Sequence, residues 1–210
     1  MIIGIDGASS DLSLALVEPG GELVAEAAWT TAHRQSAELL PQLEGLMEAN
    51  GGRWNDVVAL AIGIGPGSFT GLRVAMALAK GLAYSLNRPI VGVPSLDAWL
   101  EAEPEATAAV ARAGAREAYR LDRGGPGPVI LDRDALRELG GALIVAPADV
   151  AAAFGFDGAR QPRAGAAIAR RAAARLAAEP GGDDLEMLEP IYLRPPRGAT
   201  NEVEGAVKWL

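Results

Sequence analysis

The sequence contains no cysteine, a single histidine (His33) and few aromatic residues, 5% in all. The missing cysteine excludes a disulfide framework, thiolate metal sites and a cysteine nucleophile, and says nothing about compartment. With one histidine, neither a His-x-x-x-His pair nor a multi-histidine metal site can be built. A Ser-His-Asp triad would have to use His33, and no Gly-x-Ser-x-Gly elbow precedes a helix, so His33 reads as a surface or capping residue. Four tryptophans are scattered along the chain, with no stacking array for single-stranded RNA. Positive charge is also short: 19 Lys and Arg stand against 27 Asp and Glu, a formal net charge of -8. Residues 1–100 carry 5 basic and 10 acidic side chains and the remainder 14 and 17, so neither half offers the basic footprint that tight nucleic-acid binding needs. Arg160, Arg163, Arg170, Arg171 and Arg175 alternate with alanines and read as the solvated side of a helix. The amino terminus runs from Met1 through Ile5 directly to Asp6, without a basic or a long apolar segment, so a cytoplasmic protein is expected and membrane spanning is not.

What is present is enough for a globular fold: 210 residues, half of them hydrophobic, suffice for one large domain or two small ones. Residues 2–5 and 12–17 read as strands joined by a polar hairpin at 6–11, and residues 22–29 as a third strand of an antiparallel meander. The period then changes to that of a helix, with Leu39, Leu40, Leu43, Leu46 and Met47 on one stripe, Ser36 as its cap and Pro41 near its first turn. A strand over 57–64, a helix over 72–86, a strand over 90–93 and a helix opened by Pro94 and capped by Ser95 follow. This element order is that of a ribonuclease H-like domain, an analogy that carries no function by itself. Beyond residue 101 the composition shifts towards Ala, Arg and Gly, which marks a domain boundary. Strands are expected over 107–111, 116–121, 129–131 and 142–145, and helices over 149–154 and 164–178, the latter with Ile168, Ala172 and Leu176 on one stripe. Residues 189–194 read as extended, and 195–210 as a flexible tail. The expected fold is thus α/β, with two ribonuclease H-like (actin-like ATPase, ASKHA) domains at 1–101 and 102–194, the second smaller and degenerate.

Three features bear on chemistry. Residues 63–73, Gly-Ile-Gly-Pro-Gly-Ser-Phe-Thr-Gly-Leu-Arg, occupy a strand-to-helix junction, where free N–H groups and the helix dipole favour anions. Yet Leu72 and Arg73 follow Gly71 where a Walker loop needs Lys and Ser or Thr, and no register gives the dinucleotide fingerprint. The alternative is a tight turn in which Ser68 or Thr70 caps the helix and Gly71 permits close packing. Asp6 ends the first strand, and with Gly7, Ala8 and Ser9 it has the placement of the magnesium aspartate and phosphate hairpin of actin-type ATPases. No matching Asp-x-Gly-Gly hairpin follows residue 101, so Asp6 and Ser9 read as a vestigial nucleotide site or as ordinary turn residues. The helix over 72–86 is apolar nearly all round, with only Arg73 and Lys80 charged, and is either buried inside the domain or turned towards a partner.

The string Gly-Pro-Gly-Ser-Phe-Thr-Gly-Leu-Arg at 65–73 closely resembles the hallmark of the TsaB (YeaZ) family, glycoprotease-like proteins needed for threonylcarbamoyladenosine in bacterial tRNA. Residues 36–41 are similar to that family's His-Ser-Glu-x-Leu-Leu-Pro segment, with Gln35 where histidine is usual and Ala37 where Glu or Gln is usual. Residues 92–96, 117–119 and 190–194 resemble its Gly-Val-Ser-Ser-Leu, Glu-Val-Tyr and Pro-x-Tyr-Leu-Arg. Arg112-Ala113-Gly114 stands where Asp-Ala-Arg is usual, and Asp6-Gly7-Ala8-Ser9 where Asp-Thr-Ser-Thr is usual. The resemblance implies a non-catalytic scaffold that binds and activates the paralogue TsaD, works with the ATPase TsaE through that complex, forms a homodimer when alone and meets tRNA only indirectly. It implies no tightly bound cofactor, with nucleotide at the partner interface, and it implies no protease activity. It also turns the helices at 36–50 and 72–86 into a partner face, with Leu39, Leu43, Met47, Arg73, Ala75, Met76, Ala79, Leu82 and Ala83 as candidates; Ala79→Arg is then expected to abolish partner binding while the chain stays folded. The competing expectation is an actin-fold ATPase or small-molecule kinase using Asp6.

Overall fold

The computed structural model describes residues 1–32, 34–139 and 141–193; His33, Arg194 and the tail expected at 195–210 lie outside them. The first sheet is built from β1 (Ile2–Asp6), β2 (Asp11–Val17), β3 (Leu23–Thr30), β4 (Ala59–Gly63) and β5 (Ile90–Val93) in the order β3-β2-β1-β4-β5. The meander β1-β2-β3 is antiparallel, and β4 and β5 join it in parallel. Every residue of β1, β2 and β4 is buried, because helices cover both faces of the sheet, whereas the edge strand β3 alternates half-buried with exposed positions.

One face is covered by α1 (Gln35–Ala49) and α2 (Phe69–Leu86), which meet Ile3, Ile5, Leu14 and Leu60 of the sheet. The opposite face, carrying Ile2, Ala15, Ala61 and Val91, packs on α3 (Ser95–Ala102) and on α6 (Gly165–Ala178). Helix 164–178 was thus foreseen within a residue, but it packs against the first sheet rather than staying among the strands around it. Its approach is close: a Cβ on Gly4 would overlap the Gly165 carbonyl oxygen and lie 2.9 Å from Ala169 Cβ, and one on Gly165 would lie 2.8 Å from the Leu14 backbone. The Ser13 hydroxyl accepts from the Ala164 and Gly165 amides at 3.1 and 3.0 Å, so β2 itself caps α6.

The second sheet, in the order β8-β7-β6-β9, comprises β6 (Ala108–Arg112), β7 (Glu117–Asp122), β8 (Val129–Asp132) and β9 (Ile144–Val145). Its outer face packs on α4 (Arg133–Leu136), which the sequence reading did not foresee, and on α5 (Ala148–Phe154). Its inner face shares a core with α3 and α6, which therefore lie between the two sheets. Residues 183–193 return along the first sheet without regular structure, Asp183 N donating to Ile90 O and Ile191 N to Ile64 O. None of the described helices is long and apolar enough to cross a membrane.

Two expected caps are replaced. Helix α1 starts at Gln35, with Arg34 at its N-cap position, so Ser36 lies inside the first turn and Pro41 beyond it. Helix α3 is preceded by Pro94, and Ser95 is buried with its hydroxyl directed at other elements. Gly4→Ala or Gly165→Ala is predicted to lower stability by roughly 1–3 kcal/mol, because the α6–sheet contact must open. Gly45→Ala, with open space beside a mid-helix glycine, is predicted to raise it by about 0.5–1 kcal/mol. Urea unfolding of the three variants checks both signs.

Candidate functional site

Two loops meet where β1 and β4 end. The β1–β2 hairpin brings Asp6 through Ser10, and the β4–α2 junction brings the glycine-rich segment 63–73. Their backbones touch: Ser68 N donates to Ala8 O at 2.6 Å, and a Cβ on Gly67 or Gly71 would overlap the carbonyl oxygens of Ala8 or Gly7. A Cβ on Gly7 would in turn stand 2.7 Å from Ala75 Cβ. The Ser68 hydroxyl accepts from Gly71 N at 3.2 Å and caps α2. The glycines therefore serve close packing of hairpin on helix, the tight-turn alternative.

Asp6 is fully buried and accepts from Trp99 Nε1 at 2.6 Å, Ser95 Oγ at 3.0 Å and Ala8 N at 3.3 Å. Ser95 Oγ also accepts from Gly65 N at 3.1 Å. Burial raises the Asp6 carboxyl above its ordinary value of 3.8, and the Trp99, Ser95 and Ala8 donors pull in the opposite direction. Asp6 does not line the cleft described next. Ser9 does, with its hydroxyl bonded to Asp11 O and Asp11 N at 2.9 and 3.0 Å.

That cleft, about 1020 Å³, separates the two sheets. On one side stand Ser9, Ser10, Thr31, Gln35, Ser68 and Phe69; on the other stand Arg112, Glu117, Tyr119 and Asp149, with Tyr192 at the rim. Its two sides are tied together. Arg112 pairs with Asp149 at 2.9 Å, Ser10 Oγ donates to Asp149 Oδ1 at 3.2 Å, and Ala148 N donates to Asp11 Oδ2 at 3.3 Å. Arg112, where the resembled family carries a carboxylate, holds Asp149 on its own side of the cleft, and Asp149 accepts from Ser10 across it. Arg112, Gln35 and Asp149 come from three separate elements, and no spacing in the sequence pointed to their meeting.

Of the candidate partner-facing residues, Leu39, Leu43, Met47, Ala75, Met76, Ala79 and Ala83 are buried within the chain against the first sheet. Leu82 is half-buried and Arg73 exposed. The stripe of α2 that the sheet leaves open is instead Arg73, Ala77, Gly81 and Tyr84, and Leu40 is the large hydrophobic residue that α1 exposes. Ala79→Arg would therefore place a guanidinium in the core, which corrects the expectation that this variant stays folded. The Arg73 guanidinium lies 4.0 Å above the Phe69 ring, and its Nε donates to Tyr192 Oη at 3.2 Å. The glycine-rich segment and the closing Pro-Ile-Tyr-Leu of 190–193 are joined there. Among the five arginines of the alternating run, Arg170 binds Gly21 O, Arg171 pairs with Glu101 and Arg175 pairs with Asp183, so this run is engaged by the chain itself.

Asp6→Asn puts an amide N–H₂ among three donors and is predicted to destabilise the fold by roughly 1–3 kcal/mol. The deficit depends on pH. The unfolded Asp6 ionises near 3.8 and the folded one later, so between those points the native state binds more protons and wild-type stability falls as pH rises. The advantage of wild type over Asp6→Asn is thus predicted to be largest below that window and to shrink through it; a gap that widens with pH in paired urea titrations contradicts the assignment.

Comparison with known proteins agrees with the motifs. The family model for tRNA N6-adenosine threonylcarbamoyltransferase (TsaD) matches residues 28–130. The tRNA threonylcarbamoyladenosine biosynthesis protein TsaB of Escherichia coli is 35% identical over 96 residues, covering 45% of this chain and 40% of that protein. The TsaB of Haemophilus influenzae is 33% identical over 102 residues, covering 48% and 42%. The chain thus matches well under half the length of these curated relatives. Among solved structures, a Pseudomonas aeruginosa protein described as similar to peptidase YeaZ superposes with a TM-score of 0.71 at 24% identity, over 92% of this chain and 99% of that one. YeaZ from Pseudomonas aeruginosa superposes at 0.69 with 23% identity, over 91% and 99%. Those two structures share the fold, and over about half of its length the chain is similar to the TsaB (YeaZ) proteins whose motifs it carries and to the TsaD family model.

Proposed function

We propose that the chain is a non-catalytic scaffold of bacterial tRNA threonylcarbamoyladenosine synthesis that binds and activates a TsaD-type transferase. The observation that carries this is the pairing of the glycine-rich segment 63–73 with the closing segment 190–193 in one Arg73–Phe69–Tyr192 cluster beside the open stripe of α2. The names of the relatives supply the pathway. In this reading residues 1–101 and 102–194 are the two ribonuclease H-like domains, the second degenerate, with α6 crossing back to complete the first. The partner face is the solvent side of α1 and α2, and the same face serves a homodimer when the transferase is absent. TsaE joins through the transferase, tRNA is met only through the complex, and the cytoplasm is the place of work. No nucleotide is held tightly by the chain alone; nucleotide belongs to the partner interface. The rival reading, an ATPase or kinase using Asp6, draws no support from a carboxylate that is buried and directed at Trp99 and Ser95.

Co-purification with the TsaD paralogue of the same genome, followed by a tRNA threonylcarbamoylation assay with and without this chain, is expected to give a complex and chain-dependent modification. Ala77→Arg on the open stripe is predicted to weaken the complex at least tenfold without shifting the thermal midpoint, since an unpaired guanidinium at an interface costs several kcal/mol. Ala79→Arg is predicted to fail to fold. Full transferase binding by a folded Ala77→Arg variant would move the partner face elsewhere.

A further inference from the structure

Residues 183–193 carry no regular structure, yet they are fastened to the first sheet and to α2. The Asp183 carboxylate accepts from Arg175 at 2.5 and 3.0 Å and from the Gly92 amide of β5 at 2.7 Å. Leu188 sits where Gly92 leaves room, since a Cβ there would stand 2.7 Å from Leu188 Cδ1, and Leu185 and Leu188 both pack against the core that α1 and α2 share with the sheet. Further along, Lys80 Nζ donates to Glu186 O at 3.3 Å and Arg73 Nε to Tyr192 Oη at 3.2 Å. Lys80 follows Arg73 in α2 while Tyr192 follows Glu186, so the segment runs antiparallel along the helix.

One side chain of this fixed run is left out of the packing. Met187 is 76% exposed, and of the large hydrophobic residues described only Tyr84 of the neighbouring helix, at 80%, is more open. The exposure is built into an ordered turn: Asp184 Oδ1 accepts from the Glu186 and Met187 amides at 2.8 and 3.1 Å, and Leu188 N donates to Asp184 O at 2.9 Å. A side chain presented on a backbone already held in place has less freedom to lose on contact, and an unbranched thioether adapts to an irregular apolar hollow. Glu186 and Glu189 stand exposed on either side of it, and neither enters an ion pair among the described residues. An apolar tip between two free carboxylates matches a surface of the opposite sign, and the chain's own formal charge of -8 makes a second copy the poorer match.

We infer that residues 184–189 form a third element of the partner face, along the flank of α2, with Met187 as its apolar anchor, and that the transferase meets them with an apolar hollow rimmed by Lys or Arg. The inference rests on the transferase-binding reading above and adds to it the chemistry of the opposing surface.

Met187→Ala and the double variant Glu186→Lys with Glu189→Lys, titrated beside Ala77→Arg against the TsaD paralogue of the same genome, test it. Because Met187 is so exposed, Met187→Ala is expected to keep the wild-type thermal midpoint and to weaken the complex at least about tenfold. The double charge reversal is expected to slow association at least about fivefold at roughly 50 mM salt, with a smaller deficit at roughly 500 mM. With the methionine methyls labelled, the Met187 signal, separable from those of Met1, Met47 and Met76 by its loss in Met187→Ala, is expected to shift on adding the transferase. A lowered midpoint in Met187→Ala, undiminished transferase binding by that variant, a stationary Met187 methyl, or association that charge reversal leaves unchanged or speeds would each overturn the inference. Loss of self-association alone in Met187→Ala would assign the anchor to a second copy and overturn it too. If Ala77→Arg loses the complex while Met187→Ala keeps it, only the third element falls and the α1–α2 reading stands; no complex with wild type removes both.

Discussion

A single buried carboxylate fixes the relation between three elements that are remote in sequence. Asp6 closes β1, receives the indole of Trp99 and the hydroxyl of Ser95 from α3, and through Ser95 reaches the Gly65 amide of the glycine-rich segment. Among the described residues no cationic side chain acts on it, and these donors are what make the buried acid tolerable. Because Trp99 is itself among the largest fully buried side chains, the carboxylate also sets where the layer between the two sheets lies. At the end of β1 this carboxylate serves as a structural joint.

The joint accounts for what the glycine-rich segment does. Once β1 and α3 are fixed, the β1–β2 hairpin lies directly on the start of α2, and side chains at positions 7, 67 and 71 would have no room. The resulting contact engages the Ala8 carbonyl of the hairpin with the start of the helix. Polar capacity in the cleft comes instead from Gln35 and from the hydroxyl-bearing residues around it.

The central strands were legible because both of their faces are covered, which leaves runs such as 2–5 and 57–64 continuously apolar. The meander, the element order and the helix at 164–178 followed from the same patterns. Which stripe of α2 meets the sheet was not legible. In a helix with alanine or glycine on both sides, Ala75, Ala79 and Ala83 look much like Ala77 and Gly81, and only the hairpin packed against Ala75 decides which side is core. Helix caps failed for a related reason: Ser36 and Ser95 carry cap chemistry, yet Ser95 is claimed by Asp6 and α1 begins before Ser36. The cleft was half-visible, through Ser9 of the hairpin. Arg112 and Asp149 lie 37 residues apart and meet only because α5 packs beside β6, a tertiary fact that local pattern does not encode.

The position of α6 has a consequence for synthesis. Its backbone lies on Gly4 and Leu14, and its first amides are held by Ser13, so the part of this face that α3 leaves open is not covered until α6 has been made. The strands that emerge first are thus among the last to be sealed. A nascent chain paused in the second sheet would present Ile2, Ala15 and Ala61 to the surroundings, an apolar surface prone to aggregation.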